Sequence, residues 1–221
     1  MNNEVLFILM SLISLSFVLA AFRLGKVWLI SLIAVNAVLM NIFVTKGMLL
    51  FGLATTGGNI LYASIFLSTD ILNEYYGRKE ATKAVMIGFG ASLFLIITSQ
   101  FILKFTPASY DIASESLKTI FSLTPRIVIG SMIAYFVAQN LDVWLFDKIK
   151  SLTKSKYLWL RNNGSTFTSQ LVDSIIFTTI AFGGIYPLVN LIIFTYIIKL
   201  IVALLDTPFI YLSKSFKPKE L

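Results

Sequence analysis

Long apolar runs separated by short clusters of charge recur along the 221-residue chain. A helix needs about 20 mostly apolar residues to cross roughly 30 Å of hydrocarbon. Seven runs meet that need: Val5–Phe22, Val27–Thr45, Met48–Asn73, Ala84–Leu103, Arg126–Phe146, Thr166–Ile185 and Leu188–Leu212. In hydrocarbon every backbone polar group must be satisfied internally, so such runs predict helices. The pattern therefore predicts an all-α integral membrane protein, a compact bundle of about seven transmembrane helices forming a single transmembrane domain over residues 1–221. The only charge before Val5–Phe22 is Glu4 and a basic leader is lacking, so it reads as a retained span rather than a secretory signal. The third run is long and carries Thr55-Thr56-Gly57-Gly58-Asn59 near its middle. The paired glycines either break that span into two half-helices or let two helices pack closely; the sequence leaves both open. The stretch Asp147–Arg161 reads as a loop, or as a helix lying in the headgroups.

Composition agrees and adds exclusions. Apolar residues make up 57% of the chain and charged residues 13%, and the mean hydropathy is +0.84. That excludes a soluble enzyme, a disordered tail and a disulfide-stapled module. Cys and His are both absent, which removes the thiolate nucleophile, the imidazole base and the commonest metal ligand. The expectation is a protein that is not an enzyme and uses no cofactor or metal.

The formal charge of +7 is a matter of sidedness. Arg23, Lys26, Arg78, Lys79, Lys83, Lys148, Lys150, Lys154, Lys156, Arg161, Lys214, Lys217 and Lys219 follow the first, third, fifth and seventh runs. Only Lys46, Lys104 and Lys118 fall on the other side. Lys and Arg collect on the cytoplasmic face, so the amino terminus is expected outside and the carboxyl terminus inside. Charge dispersed in this way points to membrane lipid and not to nucleic acid as a partner.

Each ionisable group inside a span costs about 2.5–3.5 kcal/mol at the centre and needs a reason to be there. Asp70 and Glu74 close the third run one helical turn apart. They either reach interfacial water and pair with Arg78 and Lys79, or take part in gating or coupling. Asp142 and Asp147 end the fifth run in the same style, a hint of internal repetition. Asp173 lies near the middle of the sixth run on a face shared with Ser165, Ser169, Thr166 and Gln170. It is either a structural ion-pair partner or a ligand carboxylate at mid-depth. Arg126 opens the fifth run behind Thr124 and Pro125, a sound helix start in which a cation opposes the dipole and needs an anionic partner or an escape to the interface. Ser131, Tyr135, Gln139 and Asp142 form a second polar face downstream. Lys199 is near mid-depth in the last run, with Asp206 seven residues on, and is expected to pair with Asp173 or Asp206. Asn36, Asn41, Asn59 and Gln100 complete the interior amides. Together with Asp173, Tyr62, Tyr135 and the many Phe residues they suit a polar, planar ligand in an otherwise apolar site.

The segment IFLSTDILNEYYGRKEATKAV (Ile65–Val85) resembles the signature of the queuosine precursor transporter family, the YhhQ/VUT family. TPRIVIGSMIAYFVAQNLDVWLFDKIK, STFTSQLVDSIIFTTIAF and ALLDTPFIYL extend the resemblance in order and spacing, from about Leu32 to Leu212. Many members look like six-span proteins, beside which Val5–Phe22 is an amino-terminal addition. The resemblance implies import of deazaguanine bases, such as cyano- or aminomethyl-deazaguanine or queuine, across the cytoplasmic membrane of a bacterium. Under it, Asp173 would accept the adjacent N–H donors of a guanine-like edge. Arg126, Gln139 or Asn59 would donate to the ring carbonyl, Tyr62 or Tyr135 would stack, and Gln170 would flank the same face. Asp70, Glu74, Asp142 and Lys199 would gate or couple transport, and a bundle this small commonly forms a homodimer. The competing reading is a substrate-binding subunit of an energy-coupling factor transporter. That needs a separate ATPase, because the chain lacks the phosphate-binding GxxxxGK[ST] loop.

Overall fold

A computed structural model describes residues 2–121, 125–184 and 188–218, the side chains of residues 54, 125–128 and 182 aside. Helices α1 (Asn3–Leu24), α2 (Lys26–Phe43), α3 (Gly58–Tyr76), α4 (Arg78–Ile102), α6 (Pro125–Leu152), α7 (Leu158–Phe182) and α8 (Leu188–Leu212) are the seven long elements. A short exposed helix, α5 (Ser114–Phe121), lies between α4 and α6. Among the described residues, α1, α2, α4, α6 and α8 are long and apolar enough to cross a membrane. The other two long helices, α3 and α7, carry most of the buried polar residues, so burial of those residues inside the bundle replaces apolarity as what holds them there.

Chain reversals at one end of the bundle rest on glycine. Gly25 (φ 111°) joins α1 to α2 and Gly77 (φ 86°) joins α3 to α4, each in a region that side chains with a Cβ rarely adopt. Neither junction spends more than that one residue between helices.

The third predicted span, Met48–Asn73, is not one helix. Its first part is an antiparallel hairpin of β1 (Gly47–Leu50) and β2 (Leu53–Thr56), and α3 begins only at Gly58. The two-residue turn Phe51–Gly52 has φ of 53° and 75°, the positive pair that matches strand twist. A short apolar run does not distinguish strand from helix by hydrophobicity alone, and here α1 supplies the deciding contacts. Asn3 Nδ2 donates to Leu49 O at 3.2 Å, Glu4 Oε1 accepts from Phe51 N at 3.1 Å, and the rings of Phe7 and Phe51 meet edge to face. The glycine pair therefore marks a strand-to-helix junction and a close approach. A Cβ on Gly57 would lie 2.9 Å from the Phe43 carbonyl, and one on Gly58 would lie 3.0 Å from that of Met40.

Other boundaries move less. Helix α6 runs on to Leu152, and α7 starts at Leu158, eight residues before the predicted Thr166. Asp147–Arg161 is thus two helix ends and a short turn rather than a long loop. The loop before α5 is ordered by Asp111, which accepts from Ala113 N at 2.7 Å, Ser114 N at 3.0 Å and the Ser114 hydroxyl at 2.5 Å. Those bonds, the Ser114 hydroxyl first, hold its carboxyl below the usual range.

Helix α3 occupies the centre. Every residue from Gly58 to Asn73 is buried, and α1, α2, α4, α6, α7 and α8 all pack against it. Its Ser68 and Thr69 hydroxyls return to the backbone, at 2.6 Å to Ser64 O and 2.8 Å to Phe66 O, so these small polar groups need no outside partner. Its remaining polar residues have no such local outlet.

Gly57→Ala should lower stability by about 1–3 kcal/mol, since the new methyl meets a main-chain carbonyl that moves only with α2. Gly90→Ala, where nothing lies within 4 Å, should be neutral or stabilising by up to about 1 kcal/mol. Size-exclusion profiles of detergent-solubilised protein after graded heating measure both.

Candidate functional site

Five helices and the hairpin enclose a cavity of about 140 Å³ at the end of the bundle that carries β1 and β2. Met40 and Val44 come from α2, Thr55 and Thr56 from β2, and Asn59 and Tyr62 from the first turns of α3. Ser131 of α6, Phe177 of α7, and Leu191, Thr195 and Lys199 of α8 complete the wall. Met40, Val44, Phe177 and Leu191 make the apolar part of the wall, and the polar part is mostly hydroxyl and amide.

The chemistry gathers at the cavity floor. Lys199 is 1% exposed, and its ammonium forms a salt bridge with Oδ2 of the fully buried Asp173. The same ammonium sits 4.1 Å over the Tyr62 ring, on the electron-rich face that favours a cation. Tyr62 also donates its hydroxyl to Asp173 Oδ2 at 3.3 Å. Three helices thus contribute one residue each to a closed cluster of carboxylate, ammonium and phenol. Of the two partners expected for Lys199, the fold selects Asp173, while Asp206 accepts instead from Asn162 Nδ2 at 2.7 Å. Asp173 Oδ1 receives no hydrogen bond among the described residues. An acceptor this deeply buried costs about 1–3 kcal/mol when left unsatisfied, which makes it a natural place for a ligand donor.

The predicted residues divide around this cluster. Asn59, Tyr62 and Lys199 line the cavity, and Asn59 Nδ2 donates to Thr55 Oγ1 at 2.7 Å. Asp173 lies behind Lys199 and Tyr62 and is not itself a wall residue. Gln139 and Gln170 are both fully buried between α6 and α7, and neither amide finds a partner among the described residues. Tyr135 points away, its hydroxyl against Gly88 of α4 where a Cβ would otherwise stand. The Arg126 side chain lies outside the described residues. Ser131 was named from sequence only as part of a polar face, Thr55 and Thr56 only as part of the glycine motif, and Thr195 not at all; small hydroxyl residues in a span satisfy themselves so readily that their spacing carries little signal.

The opposite end is closed by charge. Glu74 does not pair with Arg78 or Lys79 as expected. Its Oε1 takes Arg161 Nη2 at 2.5 Å and its Oε2 takes Lys150 Nζ at 3.2 Å, because α6 and α7 extend far enough to bring both cations over the end of α3. Arg161 is only 2% exposed, and its Nη1 donates to the Ser155 and Lys156 carbonyls at 3.1 and 3.3 Å. Arg78 instead stands 4.0 Å from Asp147 at the surface. Arg161 was read from sequence only as a topology marker, since a basic residue near a span end usually stays wet.

Between floor and closure, Asp70, Asp142 and Asp206 converge from α3, α6 and α8, all fully or almost fully buried. Ser169 of α7 donates to Asp142 Oδ1 at 3.0 Å. Asn73 of α3 donates to the Val143 carbonyl at 3.1 Å and fixes α3 against α6 at this level.

The family model described as "Putative vitamin uptake transporter" matches residues 56–213. A Bacillus subtilis protein named "Probable queuosine precursor transporter" is 42% identical over 225 residues, covering 100% of this chain and 98% of its own length. A Haemophilus influenzae protein of the same name is 29% identical over 60% of this chain and 54% of its own. The Escherichia coli "Queuosine precursor transporter" is 27% identical over 64% of this chain and 62% of its own. No solved structure gives a significant match. The match over most of the chain and the full-length likeness place this multi-pass membrane protein in the vitamin uptake transporter family, that of the queuosine precursor transporters.

Proposed function

We propose that the chain imports a deazaguanine precursor of queuosine and binds it in the cavity above the Asp173–Lys199 pair. The observation that carries this reading is the floor itself: a buried carboxylate with one oxygen unpartnered, a lysine facing the cavity, and an aromatic ring beside both. A deazaguanine presents a carbonyl beside adjacent N–H donors, the complement of an ammonium beside a carboxylate. Lys199 or the Asn59 amide donates to the carbonyl, and Asp173 accepts from the N–H edge as the ligand settles against Tyr62. Gln170, one turn before Asp173 on α7, has free donors and acceptors for the rest of the edge. A cavity of about 140 Å³ suits one small bicyclic base better than a bulky vitamin. The names of the full-length and partial relatives support the same substrate class.

The charge distribution supports an orientation with the hairpin and cavity outside and the Glu74–Arg161–Lys150 cluster at the cytoplasmic face. In that orientation the substrate enters beside β2 and α3, and opening the cytoplasmic cluster releases it, the alternating exposure of one central site.

Asp173→Asn should cut uptake about a hundredfold, since breaking a buried, hydrogen-bonded charge pair costs about 2–5 kcal/mol. The readout is queuosine in the tRNA of cells that depend on added cyano-deazaguanine, with membrane levels matched by immunoblot; uptake at the wild-type rate would refute the reading. The absence of Cys makes sidedness testable with single cysteines. Ser109→Cys should react with a membrane-impermeant maleimide in intact cells, whereas Lys154→Cys should react only after lysis.

A further inference from the structure

Among the described side chains the buried charges do not balance. Asp70, Asp142, Asp173 and Asp206 are all at most 1% exposed, and Lys199 is the buried cation that pairs with one of them, Asp173. Arg161 is the other deeply buried cation among the described residues and is bound to Glu74. Three carboxyl groups from α3, α6 and α8 are left facing one another. Asp70 meets Asp142 and Asp206, with Glu74 of its own helix the next acid. Helix α7 offers them only neutral groups: Ser169 to Asp142, Asn162 to Asp206, and the Ser165 and Thr166 hydroxyls beside Asp142. The Thr166 hydroxyl is 1% exposed and is directed at Asp142. The Asp70 and Asp142 carboxyls lie within reach of each other, and Oδ2 of Asp206 receives no hydrogen bond among the described residues.

Two carboxylates side by side in a water-poor interior cannot both carry full charge without a cation, and the usual resolution is a shared proton. The cluster also connects in both directions. Ser169, which holds Asp142, lies one turn before Asp173 on α7, and Glu74 lies one turn after Asp70 on α3. The acids therefore stand in sequence between the cavity floor and the cytoplasmic closure.

We propose that Asp70, Asp142 and Asp206 form an exchangeable proton site and that import through the cavity is proton-coupled. The inference rests on the function proposed above and adds its driving force. In each cycle a proton arriving from the cavity side is bound on one carboxyl of the cluster while Asp173 holds substrate. It passes between carboxyl oxygens, one O–H breaking as the next forms, and leaves at Glu74 when the contacts with Arg161 and Lys150 open. No redox partner is involved; one proton enters outside for one that leaves inside.

The test uses the purified full chain in proteoliposomes with a trapped pH-sensitive dye and labelled cyano-deazaguanine. The wild-type protein should acidify the lumen as substrate enters, and an inward proton gradient should raise accumulation at least fivefold over equal pH. Asp70→Asn and Asp206→Asn should keep exchange of internal for external substrate within about twofold of wild type and lose the response to the gradient. Retained exchange reports that each variant is folded and binds, and the wild-type proton signal decides the matter even where a variant fails to fold. Wild-type exchange without proton movement, or accumulation driven equally by a sodium gradient, overturns the proton site and leaves the transport reading standing. Absence of exchange with any deazaguanine overturns the transport reading and this inference with it.

Discussion

An ammonium buried between a carboxylate and an aromatic face sets the terms for the rest of the molecule. Lys199 and Asp173 each cost several kcal/mol to strip of water, and together, with the Tyr62 ring and hydroxyl beside them, they nearly cancel that cost. The cancellation is geometric and requires α3, α7 and α8 to stand at fixed separation. It explains why α3, too polar to be stable against lipid, lies inside a cage of more apolar helices, and why α7 turns its polar face inward while Leu171 and Ile175 stay exposed. It also explains why α3 begins abruptly at Gly58: Gly57 and Gly58 admit the main chain of α2 at contact distance, which brings Asn59 and Tyr62 over the cluster.

The three buried groupings follow one another along the bundle and differ in how fully they are paired. At the floor, Asp173 is half satisfied and Lys199 fully engaged. At the opposite end Glu74 has two cations and Arg161 two carbonyls as well, so that end is the tighter closure. Between them the acids have only neutral donors. A molecule that must bind, move and release a ligand needs this gradation. A group paired as completely as Glu74 resists opening, and one left as open as Asp173 Oδ1 invites a ligand.

Much of this architecture was written in the hydrophobic pattern, because a span of helix requires a run of apolar residues and loops collect the basic ones. Asp173 and Lys199 were visible as exceptions to that pattern, and so was the pairing between them, as one of two alternatives. The hairpin was not visible, since Met48–Thr56 is as apolar as a span and its strand state is decided by Asn3, Glu4 and Phe7, some 45 residues away in sequence. Arg161 was hidden for the opposite reason: it lies beside polar residues at a span end, where a cation normally stays in water, and only the extension of α7 buries it. The likeness between the ends of the third and fifth runs proved spatially meaningful, for Asp70 and Asp142 face each other where α3 and α6, running in the same direction, come together.

The account stands or falls on where the ligand sits. A structure of the protein in lipid with 7-cyano-7-deazaguanine bound answers that directly. The account predicts density for the base between Tyr62 and Asn59, its N–H edge within 3.2 Å of Asp173 as for an ordinary hydrogen bond, and Lys199 turned from the carboxylate toward the ring carbonyl. Ligand bound elsewhere, with the Asp173–Lys199 pair intact and the cavity empty, would contradict it.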